Sequence, residues 1–139
     1  MSALAYTQQE RSRIINASKL NFVTLVIFAP LLVVVGIAGF LVPAERSLTS
    51  GAHPYNVFHI LFGTIGMLVV MSRSATAISV FNAGFGLIDL YQAVASYLHL
   101  PPRDSFLWTR VDDILHVVIG VILLAIGSYG LIQLRATKR

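Results

Sequence analysis

Two histidines in this chain sit in matched surroundings. One lies in Asn56-Val-Phe-His59-Ile-Leu-Phe-Gly63 and the other in Asp113-Ile-Leu-His116-Val-Val-Ile-Gly120. Residues four apart on a helix share a face, so each imidazole stands beside a glycine. A glycine there leaves a flat recess, which suits a planar macrocycle ligated by the imidazole. A haem b held by both histidines, or a chlorophyll-type pigment with one histidine on its magnesium, fits this pattern. His59, His116, Gly63 and Gly120 are then the cofactor-binding residues. A small metal ion is a further reading. Asp112 and Asp113 share a helix face with His116 and would join His116 and His59 as ligands. The structural alternative is that the glycines allow close helix packing while the histidines bond neighbouring helices. Acidic residues at 112 and 113 equally suit the first turn of a helix, where they meet free N–H groups.

Asp89 is the other residue that calls for chemistry. It lies within an apolar run, about 15 Å along the helix from that run's end at 1.5 Å per residue. A carboxyl at such depth must be neutralised or paired, and no lysine or arginine lies inside the apolar runs to pair with it. Asn82, Gly86, Gln92, Ser96 and His99 recur with Asp89 at helical spacing and form a polar stripe. The stripe is read either as a proton or ligand path or as interhelical hydrogen bonding. His53 and His99 fall near the ends of their runs, where solvation accounts for them.

The elements that must carry these residues are apolar. The chain has 139 residues, 56% hydrophobic and 12% charged, with a mean hydropathy of +0.78. Soluble domains carry about 25% charged residues, so composition alone indicates a membrane protein. Without cysteine, disulfides, thiolate metal sites and covalent c-type haem are excluded. The pI of about 9.9 reflects basic residues flanking apolar runs, which membrane topology explains without nucleic acid.

Four runs stand out, at about 21–42, 55–71, 75–100 and 111–134. Each is close to the roughly 20 residues that cross a bilayer, and in lipid each must be a helix. The second is the shortest. Pro43 stops the first, Pro54 suits the first turn of the second, and Pro101 and Pro102 end the third. Thr109 and Asp112 form a capping-box pattern ahead of the fourth. Pro30 is expected to kink the first helix. Residues 1–19 read as an interfacial or mobile N-terminal segment, 20–135 as one transmembrane domain, and 136–139 as a tail. The first run is too long for the apolar core of a signal peptide and reads as an uncleaved anchor.

Lysine and arginine set the orientation. Arg11, Arg13, Lys19, Arg73, Arg135, Lys138 and Arg139 fall on one side. Only Arg46, Arg103 and Arg110 fall on the other, beside Glu45, Asp104, Asp112 and Asp113. The positive-inside rule places both termini in the cytoplasm and the two longer loops outside. Trp108, Tyr55, Tyr97 and Phe106 then lie near the outer boundary.

The matched histidine motifs imply two related helical hairpins, with helices 2 and 4 parallel and both histidines at one depth. The chain resembles a family of small four-helix bacterial membrane proteins grouped as a domain of unknown function. The resemblance rests on Gly36-Ile-Ala-Gly39-Phe40-Leu-Val-Pro43, on Asn56-Val-Phe-His59 with Gly63 and Gly66, and on Asp113-Ile-Leu-His116 with Gly120. It implies a four-helix fold and a bacterial membrane, and brings no activity. The fold class expected is therefore an all-α four-helix transmembrane bundle. The expected location is the bacterial inner membrane or another energy-transducing membrane.

No phosphate-binding loop, dinucleotide fingerprint, zinc-protease motif or nucleophile elbow is present. The leading functional reading is a non-enzymatic accessory subunit of a larger membrane complex, or a homo-oligomer. The alternatives are a haem- or chlorophyll-binding protein using His59 and His116, and a proton-linked transporter or channel subunit using Asp89. The expected partners are the lipid bilayer and other membrane subunits or further copies of the chain, with no nucleic acid.

Overall fold

A computed structural model describes residues 3–136 of the chain. Five helices make up the fold: α1 (Ala3–Leu41), α2 (His53–Met71), α3 (Ala75–Leu98), the short α4 (Arg103–Phe106) and α5 (Arg110–Ala136). A single 3-10 turn, Ala44–Arg46, follows α1. Four of the helices, α1, α2, α3 and α5, are long and apolar enough to cross a membrane. Their outward faces carry large apolar side chains such as Ile27, Leu61, Leu87 and Ile114, while Asn21, Asn82, Asp89 and Gln92 are buried. Apolar outside and polar inside is the arrangement a lipid solvent selects.

Local chemistry sets the helix ends. Ser74 caps α3 by accepting from the Ala77 N–H, and Pro54 occupies the first turn of α2. The α5 cap is the expected box. The Thr109 N–H donates to Asp112 Oδ2 at 2.7 Å, and the Asp112 N–H donates to Thr109 Oγ1 at 3.3 Å. α3 stops at Leu98 rather than at 100. His99 takes the left-handed conformation, with φ 57°, and turns the chain out of the helix before the prolines.

α1 differs most from its sequence-based bounds. It starts at Ala3, not near 21, and continues unbroken through Pro30, whose ring lies on the exposed side. Its 39 residues span about 58 Å at 1.5 Å per residue, well beyond the hydrocarbon thickness. The added turns have a face to rest on. Glu10, Arg13 and Ile14 line a groove with Ile132 and Ala136 at the end of α5, and Ala17 is fully covered. The expected basic residues Lys138 and Arg139, and the tail beyond Ala136, lie outside the described residues.

The helices pair as two tight hairpins, α1 with α2 and α3 with α5. The hairpins meet chiefly through α1, while the backbones of α2 and α5 stay apart and meet only through side chains. Small residues make the tight contacts. A Cβ on Gly63 would lie 2.7 Å from the Ala29 carbonyl oxygen, and one on Gly86 would lie 2.5 Å from the Leu124 nitrogen. Without a hydrophobic drive between helices in lipid, such close approach is what holds a bundle together. Gly84 is the exception, since nothing approaches the place its Cβ would take. Polar contacts complete the join at the end that holds residues 10–21 and 126–136. Asn82 Nδ2 donates to Asn21 Oδ1 at 3.0 Å, and Asn21 Nδ2 donates to the Ile126 carbonyl at 2.8 Å. Three helices are fastened there by two side chains.

Candidate functional site

The opposite end, where the two longer loops lie, is built differently. His59 and His116 are each the seventh residue of their helix, so they reach the same depth below the loops. Both are buried. Between them stands Tyr55, one turn before His59 on the same face. Its ring centroid is 4.2 Å from that of His59 and 5.9 Å from that of His116. Its hydroxyl lies 2.8 Å from His116 Nε2 and 3.3 Å from Asp112 Oδ1. Asp112 also accepts from the Ser50 N–H at 2.8 Å and from the Thr109 hydroxyl at 2.8 Å. One carboxylate thus joins the first long loop, the α5 cap and the tyrosine.

The donors can be assigned from the partners. A carbonyl oxygen only accepts, so His59 Nδ1, 2.9 Å from the Tyr55 carbonyl, carries the hydrogen. In the neutral ring this leaves His59 Nε2 as a bare acceptor. A carboxylate also only accepts, so the Tyr55 hydroxyl donates to Asp112 and His116 Nε2–H donates to the tyrosine oxygen. His116 Nδ1 is then the bare nitrogen of the second ring, and it is buried without a partner. Two imidazoles therefore offer free acceptor nitrogens in one small region.

These rings line a cavity of about 170 Å³, together with Tyr55, Asp89, Asp112, Phe85, Thr49 of the first long loop and apolar residues of α1 and α5. Asp89 sits one turn below His116, against Gly120. Among the described residues it makes no ion pair, and Gln92 Nε2 donates to its Oδ1 at 3.4 Å. Phe28, Leu32, Phe85 and Leu123 form the apolar cluster beneath. Phe106 and Trp108 roof the polar pair, with Trp108 5.8 Å from His116 between ring centroids. The volume is close to the roughly 150 Å³ of a cavity that holds benzene.

Several sequence-based candidates take a different place. Gly63 and Gly120 leave no recess beside the histidines, because Ala29 and Val33 close over the first and Gly86, Asp89 and Leu90 over the second. They serve the close packing of each hairpin, and a macrocycle finds no flat face there. Asn82 lies with Asn21 at the far end of the bundle, away from the cavity. His99 is exposed at the α3 terminus, so the buried polar stripe ends at Ser96. His53 is exposed and stacks on Phe40, with 5.3 Å between ring centroids.

Asp112 lines the cavity beside both histidines, whereas Asp113 does not. Among the described residues, no three His, Asp or Glu side chains stand together as a metal-binding group. Tyr55 is the site residue that sequence reasoning placed elsewhere, as a boundary aromatic. The signal for it was its four-residue spacing to His59, which puts both on one helix face. Compared with protein-family models, with curated proteins and with solved structures, the chain shows no match in any of the three.

Proposed function

We propose that this chain is a non-enzymatic membrane protein that binds a small neutral molecule in the cavity between Tyr55, His59, Asp89 and His116. The observation that carries this reading is the pair of bare imidazole nitrogens beside a ring-sized cavity. His116 Nδ1 is buried without a partner, which is costly, and a ligand that pairs it recovers that cost. Asp112 and Tyr55 hold the rings in place, and Asp89 closes the polar wall from below. Binding by a subunit of a larger membrane assembly, or by a homo-oligomer, is compatible with the same site.

The wider frame belongs to the proposal too. The chain is placed with the small four-helix bacterial membrane proteins that it resembles, in an energy-transducing membrane. Both termini are cytoplasmic and the cavity lies in the outer half, a reading that the distribution of lysine and arginine supports. The hairpins are two copies of one unit. Tyr55 and Asp112 stand at equivalent positions four residues before each histidine, and they meet each other, as residues near a shared axis would.

Native mass spectrometry of the protein released from mild detergent tests the reading. The expected spectrum contains an adduct of one small molecule per chain, which His59→Phe and Asp89→Leu both remove. A wild-type protein that always flies at its bare mass contradicts it. A Soret band in the purified protein would replace it with macrocycle ligation. A proton flux in liposomes abolished by Asp89→Asn would replace it with transport.

A further inference from the structure

Part of the cavity's lining is also exposed at the surface of the bundle. α1 and α5 are fastened to each other at one end of the bundle, where Asn21 bonds the Ile126 carbonyl. Towards the other end they line the cavity from two sides, α1 through Leu31, Leu32 and Val35 and α5 through Leu115 and Ile119. Leu31 is 51% exposed and Leu115 is 41% exposed, so the cavity's α1–α5 wall reaches the lipid-facing surface. A molecule dissolved in the bilayer can enter there head first and leave its tail in the lipid.

The wall chemistry narrows what that head is. Among the described residues no lysine or arginine lines the cavity, so a phosphate or fatty-acid carboxylate finds no counter-charge there. A bare hydrocarbon would leave His59 Nε2 and His116 Nδ1 unpaired. Both nitrogens are acceptors by the assignment above, so the matching ligand brings hydroxyl donors. The volume of about 170 Å³ takes one substituted six-membered ring, and Phe85 supplies an aromatic wall.

We infer that the cavity takes the dihydroxylated ring of a prenylated quinol from the bilayer, past the exposed lining residues Leu31 and Leu115. One ring hydroxyl donates to His59 Nε2 and the other faces the His116 and Asp89 side. The step is binding alone, and no electron or proton leaves the ligand. This rests on the binding reading above and names its ligand class.

Trp108, the chain's single tryptophan, packs on His116 and reports occupancy. The test titrates the full-length protein in nanodiscs with decylubiquinol under reducing, anaerobic conditions and follows Trp108 emission. Saturable quenching is expected. Decylubiquinone, whose carbonyls only accept, and decylbenzene, which has no hydroxyl, are expected to bind at least about tenfold more weakly, the scale of one buried hydrogen bond left unmade. His59→Phe is expected to weaken the quinol by a similar factor. Leu115→Phe, at a position exposed enough to leave folding intact, is expected to slow association while circular dichroism stays unchanged. Equal response to all three probes, or a quinol response untouched by both variants, overturns the inference. If the native-mass adduct is present but decylubiquinol does not bind, the ligand class alone is wrong; if neither is seen, the binding reading falls with it.

Discussion

Tyr55 connects the two halves of the site, since its hydroxyl meets both His116 and Asp112 and its carbonyl fixes His59. Tyr55→Phe keeps the ring and the carbonyl but removes the hydroxyl. His116 Nε2 is then left buried without its partner. The expected loss of stability is about 1–3 kcal/mol, the usual consequence of an unmatched buried polar group, measured by reversible unfolding in mixed micelles. An unchanged stability would show that the Tyr55–His116 contact contributes nothing. His59→Phe, by contrast, removes only a local bond within its own helix and is expected to change stability less than Tyr55→Phe does. The two histidines were legible in the sequence because their surroundings repeat. Tyr55 was less so, because an aromatic near a membrane boundary already has an ordinary explanation. Asn82 was legible as part of a polar stripe with interhelical bonding as one reading, but its partner Asn21 was not, since their bond joins residues 61 apart in the chain and no local pattern announces it.

At the scale of the helices, the glycines divide by what faces them. A methyl group on Gly86 meets the backbone of Leu124 and the Gly120 carbonyl, whereas one on Gly84 meets nothing. Gly86→Ala is therefore expected to destabilise the α3–α5 hairpin by about 1–3 kcal/mol through overpacking. Gly84→Ala is expected to be neutral or to stabilise by about 0.5–1 kcal/mol through helix preference. Thermal unfolding of the two variants side by side checks the contrast, and equal effects would contradict the packing described. His99 closes α3 in the left-handed conformation. Glycine adopts that conformation without the roughly 1–2 kcal/mol penalty of other residues, so His99→Gly is expected to raise the melting temperature and leave the cavity's function untouched. Helix ends at Ser74, Thr109 and the prolines were readable because caps are local. The start of α1 was not, because its first turns are polar and rest on the end of α5, a contact that no apolar run signals.

For the whole molecule, the absence of cysteine makes topology directly measurable. A single cysteine at Ser105, in the α4 loop, is expected to react with a membrane-impermeant maleimide on intact cells. One at Ser12, on the exposed side of α1, is expected to react only after the membrane is opened. The reverse pattern would invert the proposed orientation and put the cavity in the inner half of the bilayer. The two ends of the bundle divide the labour. Asparagines lock the end near the termini, and glycines close each hairpin along its length. The loop end holds the cavity, with α1 and α5 forming its lipid-facing wall. The apolar runs of the sequence revealed four helices long and apolar enough to cross a membrane, and the repeated motif revealed the matched depth of His59 and His116. Neither could reveal that wall, which depends on how two hairpins lean on each other.

The most direct measurement is a density map of the protein in lipid nanodiscs at a resolution that shows side chains. The account predicts non-protein density among Tyr55, His59, Asp89 and His116, continuing outward between Leu31 and Leu115 into the lipid. A map in which α1 and α5 close against each other along their whole length, with no density among those four residues, would contradict it.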